Sequence, residues 1–499
     1  MIGGRDTITV TMNPNSTDDY RRFLRIKSLP TYSVVGPFCS FPKQYAAAVG
    51  MKDHAATHAP YDPAPGLFDY QKDIAQMAID HGRFSIFADC GLGKTFIMSE
   101  FARAATQRLP KRQCTLIVSP LMVIPQTLAE VQRFYNGDLP IRHLRAAELG
   151  DWLLHGKERI GITNYDAMTD ELRPGRIGAL ILDESSMLKS HYGKWGRTCL
   201  RLGRGLKYKL AGTGTPAPND RIEYANHAVL MDAFPTINSF LARFFVNRGQ
   251  TNGRWEMKPH AIGPFYRALS HWSIFLTNPA VYGWKDNTDP LPPIHVHEHH
   301  VPLTDEQQGL AFGQTGQLFA HEAGGITSRS VLSQIAKGHY KGRDIETLKP
   351  RAIRRLVESW PGESTLIWCI YNAEQRRMVD EFPDAASIDG ATPYDVRHAL
   401  IADFKAGRRR VLISKPKVLG FGLNLHIATR QVFSGMQDSY ESYYQAVKRS
   451  NRYGATRPLN VHIPYTDIER PMIDTVLDKA GRVQADTDEQ ERIFRENRL

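Results

Sequence analysis

Residues Ala88-Asp89-Cys90-Gly91-Leu92-Gly93-Lys94-Thr95 combine types and spacing that suit the binding of phosphate. An apolar run, Phe84 to Phe87, precedes them, and a helix-like segment, Thr95 to Thr106, follows. Strand, glycine turn and helix together make a cradle whose backbone N–H groups face an anion, with Lys94 reaching the outer phosphates and the Thr95 hydroxyl available to Mg²⁺. Ala88 stands at the first glycine position of the G-x-x-x-x-G-K-[ST] pattern. Nucleotide binding therefore rests on the strand–loop–helix context as well as on the glycines Gly91 and Gly93.

About ninety residues downstream, Leu180-Ile181-Leu182 runs into Asp183-Glu184-Ser185-Ser186. At the carboxyl edge of a parallel sheet such a pair lies beside the phosphate loop, where Asp183 would hold Mg²⁺ and Glu184 would orient and deprotonate water. Alone, the pair reads equally well as a helix N-cap; following a phosphate loop, it favours catalysis. Farther on, Gln445-Ala446-Val447-Lys448-Arg449-Ser450-Asn451-Arg452 places Arg449 and Arg452 three apart, on one face of an expected helix. Two guanidiniums on one face suit phosphate oxygens, although in isolation a solvated basic helix explains them better.

The elements that must position these residues are legible as apolar runs. Candidate strands at 84–88, 115–119, 159–163, 179–182 and 207–211 alternate with helical patterns, as do 365–369, 411–414, 431–433 and 460–463. Near-continuous apolar strands between helices predict parallel sheets covered on both faces. The expected fold is therefore α/β, with two RecA-like parallel-sheet lobes in tandem. The expected segments are an N-terminal accessory piece 1–65, a first lobe 66–235, an irregular inter-lobe insert 236–350, a second lobe 351–470 and a helical tail 471–499.

Composition narrows the class. Five scattered cysteines without a C-x-x-C pair argue for reduced thiols and against a zinc knuckle. No apolar run is long enough to span a membrane and the first residues lack a signal-peptide core, so a cytoplasmic chain with no membrane partner is expected. The formal charge of +11 fits a polyanionic partner and fits solubility equally well. The patch His295, His297, His299, His300 alternates with apolar residues like an edge strand, which is favoured over a metal site.

Phe68-Asp69-Tyr70-Gln71, Ala88–Thr95, Ser119-Pro120, Ile162-Thr163-Asn164-Tyr165, Asp183-Glu184, Gly212-Thr213-Gly214-Thr215-Pro216 and Gln445–Arg452 occur in that order. In that order, and with Gly422-Leu423-Asn424-Leu425, the chain resembles the Swi/Snf-like branch of the superfamily-two helicases over about residues 67–465. The leader, Tyr20 to Tyr45, resembles the small accessory domain of annealing-type members. The resemblance implies that Gln71 reads adenine, that Gly91, Gly93, Lys94, Thr95 and Gly422 contact ATP, and that Thr95 and Asp183 serve Mg²⁺. It makes Lys94, Asp183, Glu184, Arg449 and Arg452 the hydrolytic set, with Arg452 the arginine finger. It assigns Ser119, Asn164, Thr213, Gly214 and Thr215 to coupling with nucleic acid.

The departures are Ser185-Ser186 where Ala/Gly-His is usual, and Lys415-Pro416-Lys417 where glycines are usual. Those two lysines offer charge to a phosphate backbone. The implied activity is an ATP-dependent motor on double-stranded DNA, monomeric when free, from a compact bacterial or phage source. The competing readings are a strand-separating DNA or RNA helicase and a nucleotide-gated clamp without turnover. Intact Glu184 and Arg452 argue against the clamp.

Overall fold

The computed structural model describes residues 7–29, 32–42, 45–51, 61–189, 193–249, 255–287, 289–315, 326–419, 423–436, 439–452 and 454–498. The chain divides into two units, 1–288 with 485–499, and 289–484.

In the first unit, strands β1 (Thr7–Thr11), β2 (Ser33–Val35) and β3 (Phe38–Pro42) form an antiparallel sheet ordered β1-β3-β2, packed with the helix Thr17–Ser28. The main sheet draws on β4 (Arg83–Ala88), β5 (Cys114–Ser119), β6 (Arg142–His143), β7 (Ile160–Asn164), β8 (Ile177–Asp183) and β9 (Tyr208–Thr213). A ribbon of β10 (Phe245–Asn247) and β11 (Trp255–Met257) follows, and β12 (Ser273–Leu276) closes the sheet beside β4. The order β12-β4-β9-β8-β5-β7-β6 is parallel throughout. Leu116, Val118, Leu180 and Leu182 enter one core, and Ile117, Ala179 and Ile181 the other. Alternate residues thus bury both faces, which is why the strands read as unbroken apolar runs.

The second unit repeats the scheme with β13 (Ile294–His300), β16 (Thr365–Trp368), β17 (Ala386–Ile388), β18 (Val411–Ser414), β19 (Arg430–Phe433) and β20 (Leu459–Tyr465). Their order, β13-β20-β19-β16-β18-β17, is again parallel. A small ribbon, β14 (His339–Tyr340) with β15 (Arg343–Asp344), lies outside it.

The stretch 236–350, expected as an insert, is thus shared out: β12 edges the first sheet and β13 the second. The helix Arg470–Arg498 begins in the second unit, and its last residues belong to the first. There Ile493 and Phe494 enter the two cores, and Asp486 pairs with Arg221 and Tyr266. All five cysteines are free thiols. Among the described residues no helix is long and apolar enough to cross a membrane.

Candidate nucleotide site and the carboxyl edges of the two sheets

Parallel strands bring their C-terminal ends to one edge, and loops leaving that edge collect polar groups. In the first unit β4 ends at Ala88, β5 at Ser119, β7 at Asn164, β8 at Asp183 and β9 at Thr213. The sequence-expected groups of this unit therefore meet along one sheet edge.

After β4 the chain turns through Gly91 (φ +90°) and Gly93 (φ +69°) into the helix Lys94–Arg108. Positive φ is accessible to glycine at little cost, so the turn needs these residues. Lys94 folds back so that its Nζ donates to the carbonyls of Ala88 (2.7 Å) and Asp89 (3.2 Å). The Thr95 side chain is half-buried in the first turn of that helix.

Gln71, on the helix Asp69–His81, is buried; its Oε1 accepts from Phe68 N at 3.1 Å and its Nε2 donates to the Leu92 carbonyl at 3.5 Å. A Cβ placed on Gly93 would come within 2.1 Å of Gln71 Nε2. The glutamine is thus packed against the phosphate loop.

Asp183 is buried, accepting from Ser119 Oγ at 2.8 Å and from the Glu184 amide at 3.0 Å. Burial pushes its carboxyl up to about 7, with the Glu184 charge adding to the rise and Ser119 and Lys94 opposing it. The Tyr165 hydroxyl donates to the Asp183 carbonyl at 2.7 Å, a link that sequence reasoning did not pick out.

Glu184 adopts φ 47°, ψ 52°, a left-handed conformation uncommon outside glycine. Its Oε2 accepts from Thr213 Oγ1 at 3.3 Å, and that hydroxyl accepts from Thr215 N at 3.1 Å across Gly214. Asn164 turns back on its own segment, its Oδ1 accepting from Ala167 N at 2.9 Å.

The second unit corrects one expectation. Arg449 and Arg452 do not share a helix face, because the helix Tyr440–Val447 stops before them. Gln431 in β19 takes up the last-turn carbonyls of Ala446 (3.0 Å) and Val447 (3.4 Å) and donates to Ser450 Oγ at 2.8 Å. The Arg449, Ser450 and Asn451 amides reach those same carbonyls, so Gln431 braces a turn that follows the helix end.

Arg449 is buried, and its carbonyl accepts from Leu425 N at 2.9 Å. Arg452 Nη1 donates to the Leu423 carbonyl at 3.0 Å. The turn holding both arginines thereby meets the segment after Gly422, which itself lies outside the described residues. Lys415 donates to Asn372 Oδ1, and with Lys417 it borders a hollow of about 60 Å³ walled by Trp368, Phe433 and Tyr443.

Two histidines of β13, His297 and His299, form a column with His462, while His300 pairs with Asp467. His297 stacks on His462 at 4.8 Å and reaches Asn460 Oδ1 at 2.9 Å, while His299 Nε2 lies 3.0 Å from His462 Nδ1. Among the described residues no group of three His, Cys, Asp or Glu is placed to hold a metal ion.

With this geometry in place, two family models match the chain. The SNF2-related domain spans residues 74–310, and the helicase conserved C-terminal domain spans residues 348–454. The chain is 23% identical over 413 residues to the Drosophila melanogaster SWI/SNF-related matrix-associated actin-dependent regulator of chromatin subfamily A-like protein 1, covering 79% of this chain and 52% of that protein. To Switch 2 of Arabidopsis thaliana it is 32% identical over 142 residues, 27% of this chain and 16% of the other. It thus spans about half the length of the first of these relatives and less of the second. The Sulfolobus solfataricus SWI2/SNF2 ATPase core in complex with dsDNA aligns over 87% of this chain and 96% of that one, at 18% identity. Its TM-score is 0.40.

Proposed function

The chain belongs to the Swi/Snf-like branch of the superfamily-two helicases, and from that premise we propose that it is an ATP-driven motor acting on double-stranded DNA. One observation carries the reading: the phosphate-loop lysine, the buried Asp183 and the Thr213-bound Glu184 lie along one sheet edge. That edge offers a cation for phosphates, a carboxylate for a metal ion and a carboxylate for water. Hydrolysis of a phosphoanhydride needs all three.

In this reading Lys94 leaves the Ala88 and Asp89 carbonyls for the outer phosphates of ATP, and the amides around Gly91 and Gly93 cradle them. Gln71, held against the loop, reads the adenine. Thr95 and Asp183 suit Mg²⁺, because Asp183 is a desolvated acid whose charge needs a cation beside it. When bound, Mg²⁺ supplies charge neutralisation to the triphosphate. Glu184 orients the attacking water and takes its proton. Arg449 and Arg452 supply the guanidiniums that steady the transferred phosphoryl group, Arg452 as the finger. Such an arginine is typically worth about 10³–10⁵ in rate.

Ser119, Asn164 and the Thr213–Thr215 segment couple the nucleotide state to the grip on nucleic acid. Lys415 and Lys417 contact the phosphate backbone. Backbone contacts are blind to sequence and agree with the chain's +11 charge.

The test is ATP turnover with duplex DNA, single-stranded DNA or RNA, followed by displacement of a third strand from a triplex. Greatest stimulation by duplex, and triplex displacement without unwinding of the duplex, support the motor. Greatest stimulation by RNA, or none by any polymer, rejects it. Unwinding of the duplex would instead favour a strand-separating helicase.

A further inference from the structure

His227, a residue outside the recognised motifs, lies behind the acidic pair. It sits on the helix Tyr224–Leu230 and is completely buried. Its Nε2 lies 2.9 Å from the Oγ of Ser185, the equally buried residue that follows Glu184. The same ring meets Phe87 edge-on, at 5.4 Å between centroids and 89° between planes. Phe87 is the residue before Ala88 and pairs in register with Thr213. One imidazole therefore touches both the strand that feeds the phosphate loop and the residue that follows the acid.

We propose that His227 and Ser185 form a positioning pair that fixes the direction of the Glu184 carboxylate for hydrolysis. This inference rests on the ATPase reading above.

The argument starts from the backbone. Glu184 is held left-handed, a conformation that persists in a non-glycine residue only when its surroundings impose it. Its own carboxylate contributes a long hydrogen bond to Thr213, at 3.3 Å. The stronger restraints act on its neighbours. Upstream, Tyr165 holds the Asp183 carbonyl at 2.7 Å; downstream, His227 holds Ser185. Asn226, beside His227 on the same helix, donates to the Leu188 carbonyl. The short 3₁₀ turn Ser185–Leu188 is thus clasped at its first and last residues by adjacent side chains of one helix. With the His227–Ser185 contact released, the downstream restraints left on the turn that aims Glu184 at Thr213 are the Met187 amide on the Glu184 carbonyl, at 3.1 Å, and the Asn226–Leu188 contact.

The imidazole suits this place electrostatically. Burial pushes its pKa down to about 4, against an opposing contribution from the Glu223 backbone, so the ring is neutral at physiological pH. It can hold a hydroxyl without adding charge beside Asp183 and Glu184.

The full-length chain is tested as Ser185→Ala, His227→Phe, His227→Gln and the Ser185→Ala/His227→Phe double variant. Readouts are kcat and KM for ATP at saturating duplex DNA, with Tm recorded for each protein. Each of the first two changes is expected to lower kcat about tenfold while KM stays within about twofold, the signature of lost transition-state alignment. The double variant should be no slower than the slower single, because both changes cut the same link. His227→Gln, which keeps a hydrogen-bonding group, should recover most of the loss.

Wild-type kcat in Ser185→Ala overturns the inference even if the His227 variants fail to fold. So do losses that multiply in the double variant, or a kcat that falls only with Tm while KM rises alongside. A wild-type chain with no ATP turnover would remove the parent reading and this one together. Turnover in the wild-type chain that survives Ser185→Ala would remove this one alone.

Discussion

The Thr213 hydroxyl donates to the Glu184 carboxylate at 3.3 Å and accepts from the Thr215 amide at 3.1 Å. A single oxygen thus joins the proposed water-activating acid to the Gly212–Pro216 loop. Thr213→Val keeps the shape of the side chain and removes both bonds. Hydrolysis should slow about tenfold, with ATP affinity close to wild type, since positioning is lost and phosphate contacts are not. Single-turnover kinetics with a nucleotide titration checks this; an unchanged rate would exclude Thr213 from the coupling.

Gly93 allows no side chain. Its φ of +69° strains any L-residue, and a Cβ would lie 2.1 Å from Gln71 Nε2. Gly93→Ala should therefore displace Gln71 or the loop and weaken ATP binding by about tenfold or more, as loss of pre-organised contacts does. Titration with a fluorescent ATP analogue reads the effect, and wild-type affinity would contradict the packing described.

In the second unit, Glu469 is buried between two ammonium groups, Lys337 at 2.8 Å and Lys349 at 2.5 Å. Burial alone would raise its pKa, but the two cations outweigh burial and hold it down to about 2. The folded value lies below the ordinary 4.5, so this contribution to stability is complete above about pH 4.5 and is lost as pH falls toward 2. Glu469→Gln strands two buried cations and should cost about 3–5 kcal/mol. Denaturant unfolding of the full chain at neutral pH, followed through its tryptophan fluorescence, measures it.

His462 faces His297, His299, Arg430 and the Trp360 ring. Burial, followed by the charges of His297, His299 and Arg430, pushes its pKa down to about 3. Folding therefore favours the neutral ring. The associated stability is present above about pH 6.5 and drains away as pH falls toward 3. Tm should drop between pH 7.5 and 5, and His462→Gln should flatten that drop. An equally steep drop in the variant would show that the column does not titrate as described.

The sequence patterns that survive in the structure are those written in many residues at once. Continuous apolar runs at 115–119 and 179–182 marked strands buried on both faces, and ordered motifs marked the loops at their ends. What escaped depends on single contacts between distant residues. The strand Ser273–Leu276 lies in an aromatic stretch whose periodicity is weak, and only its parallel pairing with β4 identifies it. The turn that carries Arg449 past the helix end is braced by Gln431, many residues earlier, which donates to the Ala446 and Val447 carbonyls. The expected helix face has no way of registering that. His227 is one of two adjacent polar residues, with Asn226, in an otherwise largely apolar helix, and its spacing carries no signal until Ser185 is beside it. The leader's antiparallel sheet was invisible for a different reason: the described side chains of Thr7–Thr11 and Ser33–Val35 are at most half-buried, so these strands lack the burial on both faces that writes a continuous apolar run.

The most direct test of the proposed motor is ATP binding and turnover by Glu184→Gln beside the wild-type chain, both with saturating duplex DNA. The wild type should hydrolyse ATP steadily, and the variant should bind ATP with similar affinity yet turn over at least about a hundredfold more slowly, as loss of a general base implies. Wild-type turnover in Glu184→Gln would contradict the assignment at its centre.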